Sequence, residues 1–169
     1  MTIVHEAWLA GNLIRWHANP IMNVHRQTVA EHSAGMAVLL ISLFPDWTKN
    51  ELRACITHDL GEMGAGCDMA GDKKRANPVL AELIASAERE SLEALGLAGG
   101  KHSQRVEFVD KLEAYKFVEL RAPECLKLLE WRDARAGLVV AARLLGLDPE
   151  DCGLPSRHDA HGQPNAQAR

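Results

Sequence analysis

The chain is punctuated throughout by helix-start signals and carries no strand signal of comparable weight. Thr48-x-x-Glu51 is a capping box, in which the hydroxyl and the carboxylate each satisfy a free backbone N–H. Asn77-Pro78 sets a capping side chain before a proline at the first helical position, and Asp148-Pro149 repeats the device for one short turn. Ser103 caps a further segment. Between these points apolar residues recur at helical spacing. No run alternates with period two, and there is no Asn-Gly hairpin and no internal repeat. An all-α fold follows.

A first helix is expected from Ile3 to about Trp16, with Val4, Ala7, Trp8 and Ile14 on its apolar face and Ala18-Asn19-Pro20 ending it. Thr28 to Phe44 forms a second, where Val29, His32, Met36, Leu40 and Ile41 share roughly one face and Pro45 stops the run. A third runs from Thr48 to about Leu60 and meets Gly61, Gly64 and Gly66. The helix opened by Asn77 carries Leu80, Leu83, Ile84, Ala87, Leu92 and Leu95, with Gly96 as its C-terminal glycine. Ser103 to Leu120 is a fifth, and Pro123 begins a sixth that lasts to about Leu145-Gly146. Small and polar residues dominate from Gly153 onward. The expectation is therefore a compact bundle of about six helices over 1–152 and a disordered tail over 153–169.

Composition narrows the function. A net charge of -4 gives no general attraction to nucleic acid or anionic membranes, so any phosphate chemistry needs a local positive site. Cys55, Cys67, Cys125 and Cys152 form no C-x-x-C, so reduced thiols in a cytoplasmic protein are expected rather than disulfides or a zinc ribbon. The first residues lack a basic region followed by an apolar run, and the stretch Met36 to Ile41 is far too short to span a bilayer.

Four side chains stand out as a set: His32, the adjacent His58-Asp59, and Asp110, on three helices distant in sequence. Two imidazoles and two carboxylates on rigid supports suit a divalent Mn, Co, Fe or Zn, and the carboxylates neutralise most of its charge. Glu62 follows His58 by four and Asp59 by three, so a continuous helix would turn all of them toward one cleft. A carboxylate there is a natural general base or proton relay. His5, His17, His25 and His102 are isolated, and His158-x-x-His161 with Cys152 has no fourth ligand.

These residues sit in recognisable words: Arg15-Trp16, then Thr28-Val29-Ala30-Glu31-His32-Ser33, then Thr57-His58-Asp59-Leu60-Gly61-Glu62, then Asp110-Lys111-Leu112-Glu113-Ala114-Tyr115. In this order they resemble the HD superfamily of metal-dependent phosphohydrolases, over roughly residues 12–120. The likeness is to the small branch with bacterial 5'-deoxynucleotidases and short phage dNTP triphosphohydrolases. The resemblance implies that His32, His58, Asp59 and Asp110 hold the metal, and that Glu62 is the acid/base or orients the attacking water. It also implies that Arg15 grips the 5'-phosphate and that Trp16 packs against the sugar and excludes a 2'-hydroxyl. A guanidinium fork suits phosphate oxygens, and an indole wall offers a hydroxyl no partner. The deoxynucleotidases place a sugar-binding aspartate directly after a glycine; here Gly66 is followed by Cys67 and the aspartate comes one residue late, as Asp68. Lys73, Lys74 and Arg75 form a basic run that could reach phosphates, with Lys116 a weaker candidate of the same kind.

The implied activity is hydrolysis of the 5'-phosphate ester of a 2'-deoxynucleotide, releasing phosphate from a monophosphate or triphosphate from a triphosphate. Three alternatives are weaker. An HD phosphodiesterase for a cyclic or alarmone nucleotide fits less well, because alarmone hydrolases follow the glutamate with an aspartate where this chain has Met63. A non-catalytic nucleotide sensor would not need the intact residue set. A ferritin-type di-metal bundle would need Glu-x-x-His pairs, which the chain lacks. The family forms dimers or larger rings, and Trp131, Leu138, Val139 and Val140 would allow pairing through the last helix.

Overall fold

The computed structural model describes residues 2–16, 19, 21–65, 74, 76–97 and 103–154. Every regular element among them is helical, as the capping pattern requires. In chain order these are α1 (Ile3–Gly11), α2 (Val29–Leu43), α3 (Lys49–Thr57), a 3-10 turn (His58–Gly61), α4 (Glu62–Ala65), α5 (Pro78–Ala94), α6 (Gln104–Arg121), a second 3-10 turn (Pro123–Lys127) and α7 (Leu129–Leu144). No helix among the described residues is long and apolar enough to cross a membrane.

The caps act where the sequence sets them. Thr48 and Glu51 close a reciprocal box on α3, and Thr28 and Glu31 close a second one on α2. The Asn77 side chain accepts from the Leu80 N–H, and the Ser103 hydroxyl from the Val106 N–H. α2 and α6 lie side by side through the middle of the molecule, flanked by α3 and α7, while α5 packs on α4 and the first 3-10 turn. The core is built from Met36, Leu40 and Phe44 of α2, Cys55 of α3, Val109, Leu112 and Tyr115 of α6, and Leu138 and Ala142 of α7. Burying a side chain such as Leu112 or Met36 contributes about 1.5–3 kcal/mol each.

Several expectations need correction. α1 ends at Gly11 rather than near Trp16, because the Asn12 side chain donates back to the Trp8 carbonyl and the chain turns away. It then runs antiparallel to the segment before α2. Ile14 bridges Thr28, with Arg15 N–H donating to the Gln27 carbonyl (2.8 Å) and Val29 N–H to that of Leu13 (2.9 Å). Val4 and Trp8, expected on a buried face, are exposed, as are Ile41 and Leu83. The sixth helix is split: a 3-10 turn anchored by buried Cys125 gives way to an extended Leu128, and only then does α7 start back along α6.

The glycines after the His-Asp pair have a steric reason. A Cβ at Gly61 would lie 2.6 Å from the Glu88 carbonyl oxygen, and one at Gly64 would lie 2.5 Å from that of Ala87. The backbone of this stretch is thus seated directly on the backbone of α5. At the other end, Leu154 is buried in the core and the Gly153 carbonyl accepts from Lys116 Nζ, so the packed chain extends past 152. The rest of the expected tail, 155–169, with His158 and His161, lies outside the described residues, as do Met1, His17, Cys67 and His102. Of the apolar residues proposed for pairing, Leu138 is core, Trp131 and Val139 are half-buried, and Val140 is exposed beside Leu144.

Candidate metal centre

His32 projects from the buried stripe of α2, one turn before Met36, and is fully buried. His58 and Asp59 open the 3-10 turn after α3, and Asp110 lies in the first half of α6. Packing of α2 between α3 and α6 brings the three segments together. His32, His58 and Asp110 each offer a ligand atom, all within 4.8 Å of one another, and so form a group that could hold a metal ion. Asp59 approaches the same imidazoles through both oxygens, Oδ1 at 3.0 Å from His58 Nε2 and Oδ2 at 3.6 Å from His32 Nε2. Asp110 Oδ1 is 3.1 Å from His32 Nε2 and 3.9 Å from His58 Nε2.

The remaining ring atoms decide which nitrogens face this cluster. His58 Nδ1 lies 3.2 Å from the Cys55 carbonyl oxygen, which can only accept, so Nδ1 carries the proton. His32 Nδ1 donates to Glu113 Oε2. In neutral rings both Nε2 lone pairs then point at carboxylate oxygens, a repulsive arrangement unless a proton or a cation lies between them. Imidazoles held at Nδ1 by a carbonyl and a carboxylate, with Nε2 turned inward, present donors that could hold a metal ion. The donor set fits such an ion.

The charges of the cluster also act on one another. Burial alone would raise the Asp59 carboxyl, but the His58 hydrogen bond and the charges of His58, Arg15 and His32 hold it far below the usual carboxylate range. Asp110 is likewise lowered against its burial, chiefly by the His32 hydrogen bond. Burial would lower His32, and its bonds to Asp110 and Glu113 reverse that and raise it. Both carboxylates are thus held ionised, while His32 keeps its proton more firmly, a proton that Nε2 must give up to ligate an ion. Burial pushes the neighbouring Cys55 thiol up to about 11, which leaves it inert.

The first loop closes one side. Arg15 Nε lies 3.9 Å from Asp59 Oδ2, and Nη1 lies 3.6 Å from Glu113 Oε2. Trp16 is stacked on Phe117 with centroids 6.0 Å apart and planes 7° from parallel, and it also meets Trp131. Its backbone has φ 68°, left-handed for a bulky residue, which costs about 1–3 kcal/mol and must be held by its surroundings. Glu62 begins α4 and is buried, but it follows a 3-10 turn, so its four-residue offset from His58 is not that of a continuous α-helix.

The proposed phosphate contacts are less gathered. Lys74 pairs with Glu88 at 3.1 Å, and Lys116 with Glu119 at 2.8 Å. Asp68, Lys73 and Arg75 lie outside the described residues. Two residues not singled out from sequence belong to the cluster: Glu113, behind His32, and Gln27, which is buried beside Arg15 and Trp16. The only signal for Glu113 was its place three residues after Asp110, on the same helix face. Compared with protein-family models, curated proteins and solved structures, the chain matches none.

Proposed function

We propose that this protein is an HD-type, metal-dependent phosphohydrolase that cleaves the 5'-phosphate ester of 2'-deoxynucleotides. The observation supporting it best is the convergence of His32, His58, Asp59 and Asp110, with the Arg15 guanidinium 3.9 Å from Asp59 and Trp16 next to it. That is a group that could hold a cation, with a guanidinium at its edge. A bound divalent cation supplies Lewis acidity toward a phosphoryl oxygen and toward the attacking water. Arg15 balances charge on the phosphate, most strongly where that charge grows during reaction. Glu62 holds or returns the proton that the water must lose. Trp16 presents a wall that gives a ribose 2'-hydroxyl no hydrogen-bond partner, which disfavours ribonucleotides.

The test is a product assay with Mn or Co, offering dAMP and dATP against AMP and ATP. Free phosphate from dAMP identifies a 5'-deoxynucleotidase, and intact triphosphate from dATP a dNTP triphosphohydrolase. Asp59→Ala should abolish either product. Nucleotide binding without turnover would overturn the enzymatic reading in favour of a sensor, and retained activity with bound metal in Asp59→Ala would displace the site.

A further inference from the structure

We infer that Gln27 is a specificity-determining positioning residue, whose one amide fixes Arg15 and Trp16 and, through Glu113, ties both to His32. What Arg15 and Trp16 touch in this role rests on the phosphohydrolase reading; the ties themselves do not. Gln27 is buried, and the bridge between Ile14 and Thr28 sets it alongside the loop that carries Arg15 and Trp16. Its Oε1 accepts from Trp16 Nε1 at 2.9 Å and from Arg15 Nη1 at 3.3 Å. Its Nε2 donates to Glu113 Oε1 at 2.7 Å. The orientation of the amide is forced, since indole and guanidinium nitrogens only donate and a carboxylate only accepts. Glutamine supplies an acceptor on one side and a donor on the other at this reach.

The second half of the tie is equally constrained. The other oxygen of Glu113 accepts from His32 Nδ1, so one carboxylate serves a candidate metal ligand and the amide that holds the sugar wall. Room for it comes from α2: a Cβ at Gly35 would lie 2.8 Å from Glu113 Cγ. Trp16, in a left-handed backbone conformation, is held in place by its indole N–H bond to Gln27 and its stack on Phe117. Gln27 therefore governs sugar discrimination, whereas Glu113 governs the ion through His32.

Three measurements on the full chain separate these roles. Hydrogen exchange at the Trp16 indole N–H, assigned with Trp16→Phe, should quicken at least tenfold in Gln27→Leu. The preference for dAMP or dATP over its ribonucleotide should fall at least tenfold, mainly through KM. Mn affinity by calorimetry should change less than threefold in Gln27→Leu and weaken at least tenfold in Glu113→Gln. Gln27→Met, close in shape, serves if the leucine variant does not fold. Unchanged indole exchange in either Gln27 variant overturns the inference, as does unchanged Mn affinity in Glu113→Gln. Faster exchange with unchanged discrimination overturns the specificity role. If the wild-type chain turns over no nucleotide, the phosphohydrolase reading fails, and the exchange and Mn measurements still decide the ties.

Discussion

At the scale of single residues, His32 and His58 do different work although both face the same cluster. His32 is fully buried and donates from Nδ1 to Glu113, so its removal takes one hydrogen bond from a buried carboxylate that keeps Gln27 and Arg15 as partners. Losing one hydrogen bond to a charged group costs about 1.5–3 kcal/mol. His58 is tied at Nδ1 to a backbone carbonyl, and its Nε2 lies 3.0 Å from Asp59, whose carboxylate keeps Arg15 and His32 as neighbours when His58 is removed. In urea denaturation His32→Ala and His58→Ala should therefore each lose about 1.5–3 kcal/mol. Calorimetry should show Mn affinity reduced in both, at least about 10-fold for His58→Ala. The candidate ligands were legible because histidine and aspartate in this spacing stand out against a chain of ordinary helix formers. Gln27 and Glu113 were not, since a polar residue before an N-cap and a glutamate on a charged helix look solvated until α2 and α6 are packed together. Lys74 is the converse: its charge suggested phosphate, and Glu88 claims it.

At the scale of elements, helix starts were more readable than helix ends. A start is written in local chemistry, and Thr28, Thr48, Asn77 and Ser103 each cap as their side chains allow. Ends depend on what the chain must meet next: Gly11 yields to the bridge with Thr28, and Leu128 to the return of α7. The two capping boxes carry a pH signature. Hydrogen bonds from Thr28 lower Glu31, and those from Thr48 and Ser103 lower Glu51 against the opposing effect of burial. A lowered folded pKa means the unfolded chain binds more protons, so this stability is present above the ordinary value near 4.5 and is lost as pH falls. Thr48→Ala should cost about 1 kcal/mol at neutral pH, with the difference from wild type shrinking below about pH 4 in denaturant titrations. Gly61→Ala forces a methyl onto the Glu88 carbonyl and should cost about 1–3 kcal/mol. A neutral result in thermal melts would mean that α5 shifts freely.

At the scale of the whole molecule, the all-α architecture was legible from period and punctuation, while the point where packing stops was not. Composition alone set the tail at Gly153, yet Leu154 is buried in the core. Leu154→Ala should lose about 2–5 kcal/mol by calorimetry or urea. The cluster of His32, His58 and Asp110 draws on segments up to 78 residues apart. An unfolded chain presents no such cage, so a cation that binds there binds the native state alone. Occupancy and folding are then one equilibrium: at a hundredfold excess over Kd the ion adds about 2.7 kcal/mol to the native state. A chelator would lower the melting temperature, and the shift with ion concentration would report the affinity without any substrate being known.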